Sequence, residues 1–140
     1  MALNEEYAQI GNDIIGAAFE VRKTVGKGLR EKYYEAALAF EISNKGYDVK
    51  RQVAIPALYK GFVVDDSYQA DLIVDNRVVI ELKATSCMRE EECRQLLTYL
   101  KLSDYKLGYL INFGAANFGI GKTKEKLPYE NGIYRFVNRL

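Results

Sequence analysis

The sequence predicts an α/β domain: a central mixed β-sheet flanked by α-helices. Three observations carry that reading. Leu72-Ile73-Val74 and Val78-Val79-Ile80 are short apolar runs either side of Asp75-Asn76-Arg77, the pattern of a β-hairpin. Both runs are apolar on consecutive residues, so both faces of these strands should be covered. Around them lie three segments with helical periodicity and a further apolar run, LGYLINF at 107–113. At 140 residues the chain is one domain by length, with enough residues to bury a substantial core.

In order, residues 4–25 place Tyr7, Ile10, Ile14, Ala17, Ala18, Val21 and Val25 at helical spacings, with Asn4 as N-cap. Gly26-Lys27-Gly28 breaks that helix. A second is expected over 30–45, burying Tyr34, Ala37, Leu38 and Ile42, with Gly46 as its stop. Residues 49–58 alternate loosely and end at Pro56, which suggests an outer strand. Lys60-Gly61 is a turn, and a strand beginning near Phe62 leads through Tyr68 to Asp71. After the hairpin, a third helix is expected over 89–102, with Leu96, Leu97 and Leu100 apolar and Gln95 and Tyr99 neighbours on one face. The 107–113 strand follows. Residues 114–132 are the loosest stretch and carry Lys122, Lys124 and Lys126; a final strand is expected over 133–137. The expected sheet has four or five strands, with helices on both sides.

Composition narrows the chemistry. Hydrophobic content of 49% and charged content of 28% are ordinary for a soluble globular protein. A net charge of +1 gives no global basic signal, so a polyanion would have to meet a local patch. The chain has no histidine, which removes Ser-His and Cys-His hydrolase machinery and nearly every zinc site. Carboxylates, lysine, tyrosine or a hard metal ion must do whatever chemistry there is. Cys87 and Cys93 read as free thiols of a reduced compartment, and no long apolar stretch suggests export or membrane spanning. The expected location is the cytoplasm.

Charges sit where the hairpin should be buried. Glu81 and Lys83 share a face of their strand, Cα atoms roughly 6.6 Å apart. Asp71 joins them only if the loop has three residues, 75–77, which sets Asp71 opposite Glu81. A two-residue turn would oppose Asp71 to Ile80, on the wrong face. An odd loop or a bulge is therefore expected. Glu31, three residues before Tyr34 and seven before Leu38, falls on the apolar face of the second helix. Two carboxylates and an ammonium at the buried end of a sheet suggest a divalent cation.

These residues carry a resemblance. Asp71 followed by Glu81-x-Lys83 after an apolar strand resembles the core of the PD-(D/E)XK nuclease superfamily. Gly28-x-x-Glu31-x-x-Tyr34 is similar to the motif that names its GxxExxY branch. Gln95-x-x-x-Tyr99 resembles a motif of the helicase-associated exonucleases in that superfamily, and LINFG at 110–114 also fits. The ordered set of motifs is far more specific than D…ExK alone. One departure is that the family often has histidine near the position of Cys93. The resemblance implies a restriction-endonuclease-like core, arranged as an N-terminal helix (1–25), a motif-bearing core (28–113) and a C-terminal loop and strand (114–140).

It also implies a Mg²⁺- or Mn²⁺-dependent nuclease acting on DNA or RNA. Magnesium takes about six oxygen ligands at roughly 2.1 Å. Asp71, Glu81, the Leu82 carbonyl and Glu31 would supply the protein's share. Lys83 would orient or help deprotonate the attacking water and offset transition-state charge. Gln95 and Tyr99 would hold Lys83, the metal shell or a substrate phosphate in position. A basic strip would draw on Lys27, Arg30, Lys32, Arg89, Arg94 and Lys122.

Plainer readings stand beside these. Asp71 could start a strand, and Glu81 and Lys83 could be a solvated pair worth about 0–1 kcal/mol. Glu31 could serve the helix dipole, and Gln95 and Tyr99 could simply pack. The alternative function is a catalytically inactive nuclease-fold module that binds nucleic acid or protein, expected as a homodimer.

Overall fold

The computed structural model describes residues 4–121 and 131–138. Its element order is α1 (Glu5–Val25), α2 (Glu31–Asn44), β1 (Val49–Ala54), β2 (Ala57–Tyr59), β3 (Phe62–Asp65), β4 (Gln69–Val74), β5 (Val78–Lys83), α3 (Glu90–Leu102), β6 (Leu107–Asn112), β7 (Asn117–Ile120) and β8 (Asn131–Val137). Six strands form one mixed sheet in the order β1-β4-β5-β6-β8-β7, and β2-β3 make a separate two-stranded sheet. The sheet is thus wider than the four or five strands expected. The extra width comes from β7, inside the loose stretch after 114. Lys122, Lys124 and Lys126 lie outside the described residues.

The expected outer strand over 49–58 is two elements. Pro56, which lacks the N–H a continuous ladder needs, separates β1 from β2. β1 stays in the main sheet beside β4, whereas β2 turns away to pair with β3.

Both faces of the sheet are covered, as the unbroken apolar runs require. Leu72, Val74, Val78, Ile80 and Leu82 pack with Ile14, Ala18 and Val21 of α1 and Leu38 and Ile42 of α2. Ile73 and Val79 point the other way, onto Cys93, Leu96 and Leu100 of α3. Fully burying each such aliphatic side chain stabilises the fold by about 1.5–3 kcal/mol, which makes this hairpin the centre of the core. β5 and β6 are parallel, joined over the sheet by α3, and their register runs from Val78↔Leu107 to Lys83↔Asn112.

Helix ends follow local rules. Asn4 caps α1, its Oδ1 accepting from the Tyr7 N–H at 3.1 Å. Gly26, Gly28 and Gly46 all have positive φ (69°, 102° and 97°), a conformation that excludes most side chains. The chain can therefore leave α1, re-enter at α2 and leave again within a few residues each time.

Candidate active site

The β4–β5 loop decides the geometry. Pairings Val74↔Val78, Ile73↔Val79 and Leu72↔Ile80 leave Asp75-Asn76-Arg77 as a three-residue loop, with Asp75 and Asn76 left-handed at φ 51° and 53°. Continuing that register sets Asp71 opposite Glu81. The ladder itself stops at Leu72↔Ile80. Beyond it the Leu82 N–H donates to Asp71 Oδ2 at 2.7 Å, so a side chain holds the two strands where their backbones part. Asp71 Oδ1 accepts from Gln52 Nε2 at 3.0 Å.

Glu81 is mostly buried beside Asp71. Desolvation, followed by the charge and hydrogen bond of Asp71, pushes its carboxyl up to about 8. Tyr68 donates its hydroxyl to Glu81 Oε2, which partly opposes that rise. Burial and the same carboxylate push the Tyr68 phenol well above its ordinary range. Its ring stacks on Tyr99 of α3, centroids 4.0 Å apart and planes within 13°.

Lys83 is half-buried and pairs with Glu92 Oε2 at 3.2 Å. Burial works against the charged ammonium, but Glu92, Glu31 and Glu81 outweigh it and the pKa is raised. Glu92 also accepts the Arg89 N–H through Oε1 at 3.3 Å, the reach-back bond of a helix N-terminus. Lys83 is thereby fixed to the start of α3.

Glu31 differs from its expected burial. It is the first residue of α2 and is exposed, because Arg30 is the cap and the helix begins at the site's rim. It still senses the cluster. Its carboxyl is raised by desolvation, lowered by Lys83 and raised again by Asp71 and Glu92. Tyr34, one turn on, is fully buried. Its hydroxyl donates to the Gly26 carbonyl at 2.7 Å and accepts the Leu29 N–H at 3.3 Å, while its ring stacks on Phe113 at 4.5 Å. Tyr34 therefore pins the loop that delivers Glu31 to the rim.

Gln95 is exposed on α3, and among the described residues no hydrogen bond ties it to Glu81, Lys83 or Tyr99. Tyr99 reaches the cluster through Tyr68. Cys93, where a histidine would have been expected, is fully buried on the core-facing side of α3.

Four neighbours of the site were not legible as such: Tyr68, Glu92, Gln52 and Glu35. Glu35 is buried and accepts from Arg51 at 2.9 Å and from Gln52 at 2.6 Å, so Gln52 bridges Glu35 to Asp71. The only signal for Tyr68 was its place just before Asp71. Glu92 was hidden in a run of three glutamates.

Hard oxygen donors dominate this corner: two neighbouring carboxylates, Asp71 and Glu81, with a third acid at the rim. That donor chemistry fits Mg²⁺ or Mn²⁺ rather than a soft metal. As the side chains stand, no group of three or more Asp, Glu, Cys or His among the described residues is arranged to hold an ion. The acids have partners instead, Asp71 in Leu82 and Gln52 and Glu81 in Tyr68. Among the described residues no helix is long and apolar enough to cross a membrane.

Comparison with known proteins agrees with the geometry. No curated protein and no solved structure gave a match. The family model of the PD-(D/E)XK nuclease superfamily matches residues 8–123, from the first turns of α1 to just past β7. With most of its length inside that match, and with an aspartate and an E-x-K strand facing each other across a three-residue hairpin, the chain belongs to the PD-(D/E)XK nuclease superfamily.

Proposed function

We propose that this chain is a Mg²⁺- or Mn²⁺-dependent nuclease of the GxxExxY branch, hydrolysing phosphodiester bonds in DNA or RNA. The observation that carries the reading is the hairpin register, which opposes Asp71 to Glu81 on the face that also bears Lys83. Asp71, Glu81, the Leu82 carbonyl and Glu31 would hold the ion. When bound, such an ion supplies Lewis-acid charge to the phosphoryl oxygens and makes the attacking water more acidic.

The chain's own groups do the rest. Leu82 N–H and Gln52 fix both oxygens of Asp71, so that carboxylate is oriented before any ligand arrives. Lys83, held by Glu92, is a cation beside the scissile phosphate; it orients the water and offsets charge as the bond breaks. Tyr68 and Tyr99 form a stacked wall behind Glu81 that limits water on that side. Gln95, exposed on the same helix, is free to meet the phosphate backbone.

The test is cleavage of duplex and single-stranded substrates with and without Mg²⁺ or Mn²⁺. Glu81→Ala and Lys83→Ala should abolish it while thermal melting still reports a folded protein. Undiminished cleavage in both variants refutes the assignment.

One observation favours a second reading, a nuclease-fold module that binds without cutting: both carboxylates already have protein partners. Calorimetry with Mn²⁺ in the presence of an oligonucleotide separates the two. Binding of oligonucleotide with no Mn²⁺ uptake supports the module.

A further inference from the structure

Within β1, Gln52 has a left-handed backbone, φ 53°. The ladder with β4 keeps one register on both sides of it, Arg51↔Leu72 and Val53↔Ala70, so Gln52 is not an extra residue squeezed into the strand. It is exposed, so burial of its side chain does not force the backbone over. A non-glycine residue in this conformation carries a cost and persists only where its surroundings hold it there. The holding contacts are polar. Gln52 Nε2 donates to Asp71 Oδ1 at 3.0 Å and to Glu35 Oε1 at 2.6 Å. We propose that Glu35 is a positioning residue: acting through Gln52, it sets the orientation of the Asp71 carboxylate. The inference rests on the proposed function only for what that orientation serves, the seating of Mg²⁺ or Mn²⁺ on Asp71.

The strand geometry explains the backbone. Successive side chains of a strand point to opposite faces. Arg51 and Gln52 are successive, yet both meet the Glu35 carboxylate, Arg51 Nε donating to Oε2 at 2.9 Å. The left-handed turn at Gln52 is what lets two neighbours share one acid.

Charge then fixes the amide. An amide has a donor end and an acceptor end, and an ionised carboxylate only accepts. The Nε2 of Gln52 serves both acids; turned over, the side chain would set its oxygen against two anions. Asp71 is a weak guard against that turn, because solvent reaches Gln52. Glu35 is a stronger one, being 5% exposed, fixed by Arg51 and nearer the amide. Hydrogen bonds to charged groups are also the stronger kind. With the Leu82 N–H on Oδ2, both oxygens of Asp71 are held. One helix thus brings Glu31 to the rim and, a turn later, reaches Asp71 through Gln52.

The test is amide hydrogen exchange of the chain in chelator, read by NMR, with Mn²⁺ calorimetry alongside. The Leu82 N–H bonds Asp71 Oδ2, so its exchange rate reads that carboxylate without a metal. Gln52→Gly accepts the left-handed φ and deletes the amide. The chain should stay folded, with Leu82 exchanging about 5- to 10-fold faster while Val79 in the same strand keeps its rate. Mn²⁺ should bind about 10- to 100-fold more weakly. Glu35→Gln leaves Arg51 an acceptor but removes the charge that selects the amide. It should move both readouts the same way, and added to Gln52→Gly it should move neither further. Parent-like Leu82 exchange in Gln52→Gly overturns the proposal. So do additive effects in the double variant, which would mean that Glu35 acts by another route. A parent chain that takes up no Mn²⁺ while Leu82 still responds to both variants upholds the positioning and removes the metal, so the two failures are told apart.

Discussion

Tyr68 donates its hydroxyl to Glu81 while its ring lies flat on Tyr99, so one residue from the loop before β4 links a strand carboxylate to α3. The bond has a chemical consequence. It favours the charged form of Glu81, against the desolvation and the neighbouring Asp71 that raise it. Tyr68→Phe should therefore push the Glu81 carboxyl higher and move the acid limb of the cleavage rate to higher pH. Activity at pH 6 should fall more than activity at pH 9. A pH–rate profile superimposable on that of the parent chain would show that Tyr68 does not govern Glu81.

Stability should carry the same signature in chelator. The folded-state value of Glu81, about 8, lies above its ordinary 4.5. A raised carboxyl binds its proton more tightly in the folded state than in the unfolded one. Its contribution is complete below pH 4.5 and is lost as pH rises towards 8. Urea midpoints should thus decline across that window, and Glu81→Gln should flatten the decline. Mg²⁺ bound by the carboxylates should reverse it. A decline identical in Glu81→Gln would assign it to other groups.

The parts of this architecture that depend on near neighbours in the chain were readable in advance. Counting residues in the loop fixed the β4–β5 register, because a strand's period of two leaves only one parity that puts Asp71 with Glu81. Gly28 was readable because a break between two helices needs a left-handed residue. The network around the acids was not. Gln52 reaches Asp71 only because β1 pairs with β4, a contact no local pattern encodes, and it does so from a left-handed position inside a strand. Glu31 was misread as buried because periodicity assigns a helix face but not how far the helix end projects beyond the sheet. Pro56 was taken as the end of one strand when it also begins a second sheet.

The motif residues near 112 predict a measurable loss. Asn112 is buried; its Oδ1 accepts from the N–H of Thr85 and of Gly114, each at 3.0 Å, and its Nδ2 donates to the Thr85 carbonyl at 2.9 Å. It thereby clamps the turn that follows Lys83 to the end of β6. Gly114 lies so close that a Cβ would fall 2.5 Å from the Thr85 carbonyl oxygen, a backbone atom that cannot step aside. Asn112→Ala leaves these partly buried backbone groups without partners and should cost about 2–4 kcal/mol. Gly114→Ala should cost about 1–3 kcal/mol through the forced backbone shift. Urea denaturation measures both; a loss below about 0.5 kcal/mol in each would mean the turn does not need the clamp.

Glu92 offers the sharpest separation of structure from chemistry. Its two oxygens are divided, Oε2 on Lys83 at 3.2 Å and Oε1 on the Arg89 backbone N–H at 3.3 Å. Glu92→Gln keeps an oxygen for the helix terminus, so the fold should lose no more than about 1 kcal/mol. It removes the negative charge that holds Lys83 and helps raise its pKa. Lys83 then faces only Glu31 and Glu81 and is drawn towards the acids instead of standing beside them. Cleavage should fall about 10- to 100-fold, the usual effect of removing an outer partner of a catalytic group. The fall should appear in kcat more than in KM, as the role proposed for Lys83, offsetting charge on the phosphoryl group as it develops, requires. Glu92→Asp, which retains the charge on a shorter arm, should recover part of the rate. Equal rates for Glu92→Gln and Glu92→Asp would mean that the Lys83–Glu92 pair only anchors α3 and has no part in positioning the lysine.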